Sequence, residues 1–422
     1  MDARPNSPEA RDISYHMHGY TNARKHEEAG PLVIEKGDGI YVEDLAGNRY
    51  IEAMAGLWSV AVGFSEKRLV DAAVRQMSKL PYYHDFGSKS HSPLIDLAEK
   101  LVQMAPVSMS KAYFTNSGSE ANDTAMKMIW YRSNALGQPA RKKIISRNRG
   151  YHGVTIAAAS LTGLPNNHIS FDLPIANVLH TSTPHHWREA LPGESEEQFS
   201  SRLADDLEKL ILAEGPETIA AFFGEPIMGA GGVIVPPAGY WDKIQAVLSK
   251  YDILLVADEV ICGFGRTGEM FGSQTFGIRP DIMVLSKQIS SSYLPISALL
   301  ENLKLIEERD LVGNARTVGA HMQNRLRKFA SHPLVDEVRG VGLIAAVELV
   351  GDKADKTPWE TAGALGRLVN GFMQQNGVIS RNMGDALAFC PPLIITEPQV
   401  DQVVDAFERS LEGAVKQVGS LN

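Results

Sequence analysis

The chain of 422 residues has only two cysteines, Cys262 and Cys390, far apart and without a neighbouring histidine cluster, which excludes a disulfide scaffold and argues against a zinc site. Isolated cysteines commonly pack as small hydrophobes, and that is the role expected of both. No apolar run approaches the roughly 18 residues that span a bilayer, and the opening MDARPNSPEARD lacks the apolar stretch of a secretory signal. A cytoplasmic protein without membrane contact is expected. Positive charge is also short: 41 Lys and Arg against 50 Asp and Glu leave a net charge of -9. With no basic stripe to follow a phosphate backbone, nucleic acid is not an expected partner. Repeats and low-complexity linkers are missing too.

What remains is an ordinary globular composition, 44% hydrophobic and 22% charged, in a length that suits two or three domains at roughly 100 to 200 residues each. Short apolar runs alternate with helix-patterned stretches through the middle. KAYFTN (111–116), KKIISRN (142–148), AAFFGEP (220–226), DILLVADEV (252–260) and DIMVLSK (281–287) read as strands, with helices such as AMKMIWYRSNALG and YWDKIQAVLSKY between them. That alternation predicts a parallel sheet covered on both faces. Ahead of it, GIYVED and RYIEAM flank the turn-forming AGN and predict a hairpin. Near the end, 335–350, 377–382 and 386–392 read as strands mixed with helices, a smaller α+β unit. The expected division is an N-terminal segment, 1–60, contributing to the small domain, a large α/β domain over 61–300, and a small C-terminal domain over 301–422.

The chemistry concentrates where strands end. In an open parallel sheet, ligands collect beyond the carboxyl ends of the strands. The run ILLVA leads into Asp258 and Glu259, and DIMVLS delivers Lys287 to the same edge roughly one βαβ unit later. An acid and a lysine would then face one cavity, unless they form a structural ion pair. The stretch FTNSGSEAND (114–123) leads through small residues into a helix start, a ready phosphate site. Ser117 and Glu120 have capping-box spacing, which a cap alone explains. Gly118 is different, because it lets a ligand approach the backbone closely. In RGYHGVT (149–155), Tyr151 beside His152 follows a strand, where an aromatic ring either packs a turn or covers a flat heterocycle.

A phosphate cradle, a stacking tyrosine, a carboxylate and a lysine on successive strands suit pyridoxal phosphate. With them the sequence resembles the class III, fold-type I aminotransferases, closest to the ω-transaminases of the amine:pyruvate kind. The resemblance is carried by GLWSVAVGF, YFTNSGSEANDTAMK, RGYHGVTIAAASLTG, GEPIMGAGGVIVPP, LLVADEVICGFGRTG and PDIMVLSKQISSSYLPI, and extends through RGVGLIAAVEL and LAFCPPLIITEPQVD. It implies a large, mostly parallel-sheet domain with a smaller α+β domain, and no metal. Lys287 would bond the cofactor covalently and carry the proton at the reacting carbon, and Asp258 would pair with the protonated pyridine nitrogen. Ser117, Gly118 and Ser119 would serve the phosphate. Tyr151 would cover one ring face and Val260 press on the other, with His152 and Glu225 in the cofactor's surroundings. Trp58 would line the substrate pocket, with Tyr83 and Phe86, and Arg381 would clamp the substrate carboxylate. The expected assembly is a homodimer with its active site at the interface, or a tetramer.

The expected reaction moves an amino group from a primary amine or ω-amino acid to pyruvate. One alternative is a class III aminotransferase using 2-oxoglutarate with ornithine, γ-aminobutyrate or a diamine; a distant one is a phosphate-ligand-binding protein without catalysis. The sequence departs from the resemblance at one place. After SYLPISALL it runs from Leu300 straight into Glu301, where the resemblance implies a few dozen further residues, including a threonine that reaches the partner subunit's phosphate. A genuine deletion would be expected to join strand 281–287 to a helix without a packed crossover, so omission of disordered residues from the sequence is the expected reading, with an intact mass above 46.0 kDa.

Overall fold

The computed structural model describes residues 5–293 and 296–419. Its centre is a five-stranded, all-parallel sheet, ordered Val178–Thr181, Lys143–Arg147, Ile219–Gly224, Leu254–Asp258, Ile282–Val284. Successive side chains on a strand point to opposite faces, and the pairs Ile144/Ile145, Phe222/Phe223 and Leu255/Val256 divide accordingly. Ile145, Phe222 and Leu255 meet the helices Glu196–Glu214 and Tyr240–Lys250. Ile144, Phe223 and Val256 meet the helix Gly118–Ala135 and Leu161 on the other face. The central strand is buried at every position, which is why it reads as an unbroken apolar run.

Two antiparallel-rich sheets complete the fold. Ile34–Asp38, Tyr41–Asp44 and Arg49–Glu52 form the meander that the turn at Gly47 allows, and Val378–Ile379 joins it in parallel. Arg381–Met383, Ala386–Phe389, Ile344–Leu349 and Val335–Val341 form the other. The last helix, Glu397–Gly419, packs on Ala364–Gln375 and Leu311–Arg327.

Two readings change. Residues 111–116 form no strand, because no neighbouring chain offers them a ladder. Val178–Thr181 is an edge strand that its short, half-polar sequence VLHT concealed. The helix after the join, Ile296–Glu308, is packed. Leu303, Leu305 and Ile306 are buried, and it lies against Lys67–Lys79 and Ser92–Met104. Buried Asn302 donates to the carbonyls of Gln288 and Ile289 at 2.8 and 3.1 Å and accepts from the Ser291 hydroxyl at 2.7 Å.

Candidate active site

All five sheet strands run the same way, so the segments after Arg147, Gly224, Asp258 and Val284 emerge on one edge. There they line an open-mouthed pocket of about 480 Å³, mouth included, formed by Gly118, Ser119, Tyr151, His152, Glu225, Asp258, Val260, Ser286 and Lys287 among others. Most of the expected cofactor residues are thus brought together. Ser117 stands one step back as the helix N-cap, its hydroxyl accepting from Glu120 N–H at 3.1 Å. Glu120 reaches past it to accept from Asn116 N–H at 2.7 Å. Gly118 and Ser119 follow, with first-turn N–H groups that a helix leaves unpaired. A methyl group at Gly118 would come within 3.2 Å of Val260 Cγ2, so glycine keeps this wall open.

Asp258 is 3% exposed. Its Oδ2 accepts from His152 Nδ1 at 2.7 Å and Asn122 Nδ2 at 3.1 Å, and its Oδ1 from Val260 N–H at 3.2 Å. A carboxylate only accepts, so His152 carries its proton on Nδ1. This leaves His152 Nε2 buried without a partner, as is Asn122 Oδ1. Asn122 is a functional candidate that sequence reasoning missed. Its signal was an amide within the otherwise ordinary helix start SEAND, and only the fold brings it against Asp258. The adjacent Glu259 has a different duty. It is fully buried and accepts from Gly272 N–H, Ser273 N–H and the Ser273 hydroxyl at 2.9, 2.6 and 2.6 Å. Burial pushes its carboxyl up to about 7, against those hydrogen bonds.

Lys287 has φ 48°, a left-handed backbone that costs a non-glycine residue about 1–2 kcal/mol. Its neighbour Gln288 holds that turn, donating to Gly263 O at 3.0 Å and accepting from buried Arg266 at 3.1 Å. Burial lowers the Lys287 amine, while the Asp258 and Glu225 carboxylates oppose the shift. Glu225 accepts from the N–H groups of Tyr151 and Gly229, both at 3.0 Å, and burial raises its carboxyl. Burial also raises the Tyr151 phenol to about 12.

Trp58 and Arg381 meet beside the cavity, the guanidinium 5.3 Å from the indole centre. Trp58 ends a turn in which Ala55, Gly56, Leu57 and Trp58 all have φ between 48° and 81°. Buried Glu52 holds that turn, accepting from Met54 N–H at 3.2 Å and also from Gly56 N–H. Tyr83 and Phe86 are not brought into the cavity. They are 45% and 78% exposed, on a loop where Tyr83 stacks on His84 at 4.8 Å.

A buried acid and a lysine with a lowered proton affinity, sharing a pocket beside a helix N-terminus, can grip a phosphorylated heterocycle and move protons on it. The model of the family Aminotransferase class-III matches residues 21–304 and 294–411. The chain belongs to the class III aminotransferases. It is 66% identical to the solved structure "Transaminase with L-ala", with a TM-score of 0.96 over 99% of this chain and 100% of that one. The omega transaminase from Pseudomonas jessenii in complex with PMP is 58% identical, with a TM-score of 0.97 over 98% and 99% of the two chains. Gamma aminobutyrate transaminase 1, mitochondrial, of Solanum lycopersicum is 44% identical over 439 residues, covering 95% of this chain and 85% of that protein. That alignment is longer than the 422-residue chain, and the two family matches overlap only at 294–304. The tomato protein therefore has residues with no counterpart here, and the family matches locate the break at the join.

As a class III aminotransferase the protein has the fold-type I architecture, uses pyridoxal phosphate, and acts on an amine donor and a keto-acid acceptor. The non-catalytic alternative falls with this assignment. The residues present fit the cofactor. The Gly118 wall leaves room that a Cβ would fill, His152 Nε2 beside the buried Asp258 carboxylate has no partner, and the Lys287 amine, lining the same pocket, makes no ion pair with a described residue. Among the described residues, no helix is long and apolar enough to cross a membrane.

Proposed function

We propose that this aminotransferase moves an amino group from a primary amine or ω-amino acid to pyruvate, releasing alanine and an aldehyde or ketone. The observation that carries the proposal is the Arg381 guanidinium lying over the Trp58 ring beside the Lys287 pocket. An apolar wall and a carboxylate-binding fork at one mouth suit a site that takes an apolar amine and a keto acid in turn. The 66%-identical structure with L-ala supports the choice of acceptor, since alanine is aminated pyruvate.

When bound, pyridoxal phosphate supplies an electron-accepting ring and an aldehyde carbon. In the proposed mechanism Asp258, oriented by His152 and Asn122, holds a proton on the ring nitrogen. Gly118 and Ser119 hold the phosphate, with Ser117 capping their helix. Tyr151 and Val260 bracket the ring, and Glu225 fixes the backbone at Tyr151. Lys287 would hold the cofactor through Nζ and, once the donor amine has displaced it, the freed Nζ would take the proton from the donor's amine-bearing carbon. Burial lowers its proton affinity, which favours the free amine that such a step needs. Trp58 excludes water and limits the bulk of the donor.

The proposal includes the three-part domain division, a cytoplasmic location and a homodimer. The exposed aromatic side chains Tyr82, Tyr83 and Phe86, close in sequence, support the dimer, because a run of apolar rings in water calls for a cover. Tyr83 and Phe86 then reach substrate only from across an interface. A second reading rests on the γ-aminobutyrate transaminase relatives at 44% identity, which favour γ-aminobutyrate as donor.

An acceptor and donor panel tests the reaction. Turnover with pyruvate and an arylalkylamine is expected; strong turnover with 2-oxoglutarate and none with pyruvate would reverse the choice. Borohydride reduction of the holoenzyme followed by peptide mapping should place the pyridoxyl group on Lys287, and any other position would end this assignment of roles.

A further inference from the structure

The two helices nearest the N-terminus, Pro8–Tyr15 and Ala23–Ala29, contain no buried residue. Without an apolar face to pack, they must be joined by polar contacts. The Asp12 carboxylate lies among three imidazoles: Oδ1 is 3.1 Å from His16 Nδ1, and Oδ2 is 2.8 Å from His18 Nε2 and 2.9 Å from His26 Nε2. The His16 and His18 rings are 4.2 Å apart between centres, as are those of His18 and His26. One ligand atom each from Asp12, His16 and His18 lies within 4.8 Å of the other two.

One carboxylate has no need of three histidines. Exposed ion pairs contribute little, and three protonated rings at these separations would repel one another. Neutral imidazoles, in contrast, offer three lone pairs. In a tetrahedral shell with metal bonds of about 2.0–2.1 Å, the donor atoms stand roughly 3.3 Å apart, near the carboxylate–imidazole spacings of 2.8, 2.9 and 3.1 Å here. Asp12 and His16 fall one helical turn apart, His18 follows with one residue between, and His26 arrives from the second helix. Three nitrogens and one oxygen suit zinc-type ions rather than calcium or magnesium.

We propose that Asp12, His16, His18 and His26 bind a divalent transition ion of the zinc type, clasping the two N-terminal helices together. Asp12, His16 and His18 bring three ligand atoms within 4.8 Å of one another; His26, hydrogen-bonded to Asp12 Oδ2 at 2.9 Å, would close on them to complete a tetrahedron, which makes the site structural rather than catalytic. The clasp brackets Tyr20, whose ring stands edge-on to Tyr151 at 6.2 Å and whose hydroxyl accepts from Asn167 Nδ2 at 2.5 Å. Ion binding would therefore fix an aromatic side chain beside the catalytic pocket. The sequence led to no expected metal because its two cysteines stand apart from any Cys/His cluster; His26 joins the other three only through the fold.

The test uses the holoenzyme, stripped with a chelator and desalted at a pH of about 7.5. Calorimetry with Zn²⁺ and visible absorption with Co²⁺ should both give one ion per chain, with a Kd in the micromolar range, and four-coordinate cobalt colour. His18→Ala and Asp12→Asn should each weaken binding at least about tenfold. Neither residue supports a core, and unchanged cofactor absorbance would verify folding. Saturating Zn²⁺ should slow proteolysis within residues 5–30 of the wild type alone. Absence of stoichiometric binding, wild-type affinity in both variants, or Zn²⁺-independent proteolysis would overturn the proposal.

Discussion

Replacing Asp258 by Asn separates chemistry from folding. The substitution keeps the shape and removes the charge. The retained oxygen can still accept from Val260 N–H, bonded at 3.2 Å. The new amide faces His152 Nδ1, now 2.7 Å from the carboxylate. His152 can answer by moving its proton to Nε2, which has no partner to lose. Asn122 cannot adapt as easily, because its Nδ2 also donates to His152 O at 2.7 Å. The net structural loss is about one buried hydrogen bond, ~1–2 kcal/mol. The catalytic loss is larger: an amide cannot hold a proton on a ring nitrogen, and removing a preorganised charge of this kind costs about 10²–10³ in rate, ~3–4 kcal/mol. Urea unfolding, cofactor absorbance and single-turnover kinetics on the same preparation measure the three quantities. Activity within about fivefold of wild type, in a variant that binds cofactor, would refute the pairing of Asp258 with the ring.

Arg381→Ala should raise the KM for pyruvate by about 10–100-fold while changing turnover of a neutral aldehyde acceptor only slightly, since a forked ion pair is lost for one acceptor and nothing for the other; equal effects on both would sink the clamp. Burial raises Glu52 to about 7 from 4.5. The native state then holds the extra proton between those values, so this group's contribution to stability is greatest below about 4.5, falls as pH rises to about 7, and levels off beyond. Glu52→Gln should remove that slope in denaturant titrations at several pH values, and an unaltered slope would contradict the burial argument. Gly153 has φ 139°, and a methyl group there would sit 2.4 Å from Ser119 Oγ. Gly153→Ala should therefore displace Ser119 and weaken cofactor binding about tenfold or more, read by absorbance titration; wild-type affinity would show that Ser119 bears no load.

The parallel sheet was legible because strands buried on both faces leave unbroken apolar runs, as Ile219–Gly224 and Leu254–Asp258 do. Asp258 and Lys287 were legible because strand polarity alone assigns them to one edge. Lys111–Asn116 has strand composition but no partner, and pairing is a property of neighbours that local composition does not carry. Asn122 was hidden for a related reason: its importance lies in contacts with residues 152 and 258, some 30 and 136 positions away. The Asp12 cluster is the same case on the surface, four unremarkable residues whose convergence depends on a helix turning back.

The division of labour between Asp258 and Glu259 has a consequence for redesign. Consecutive residues leaving a strand face opposite ways, so one acid serves the pocket while the other ties down Gly272 and Ser273. A one-residue insertion in Leu254–Asp258 would exchange their faces, turning the longer acid toward the pocket and setting the shorter one against the Gly272 and Ser273 amides, one methylene short of the present contacts. Both carboxylates would still be present, and the protein would lose its catalyst and loosen a structural anchor in the same step.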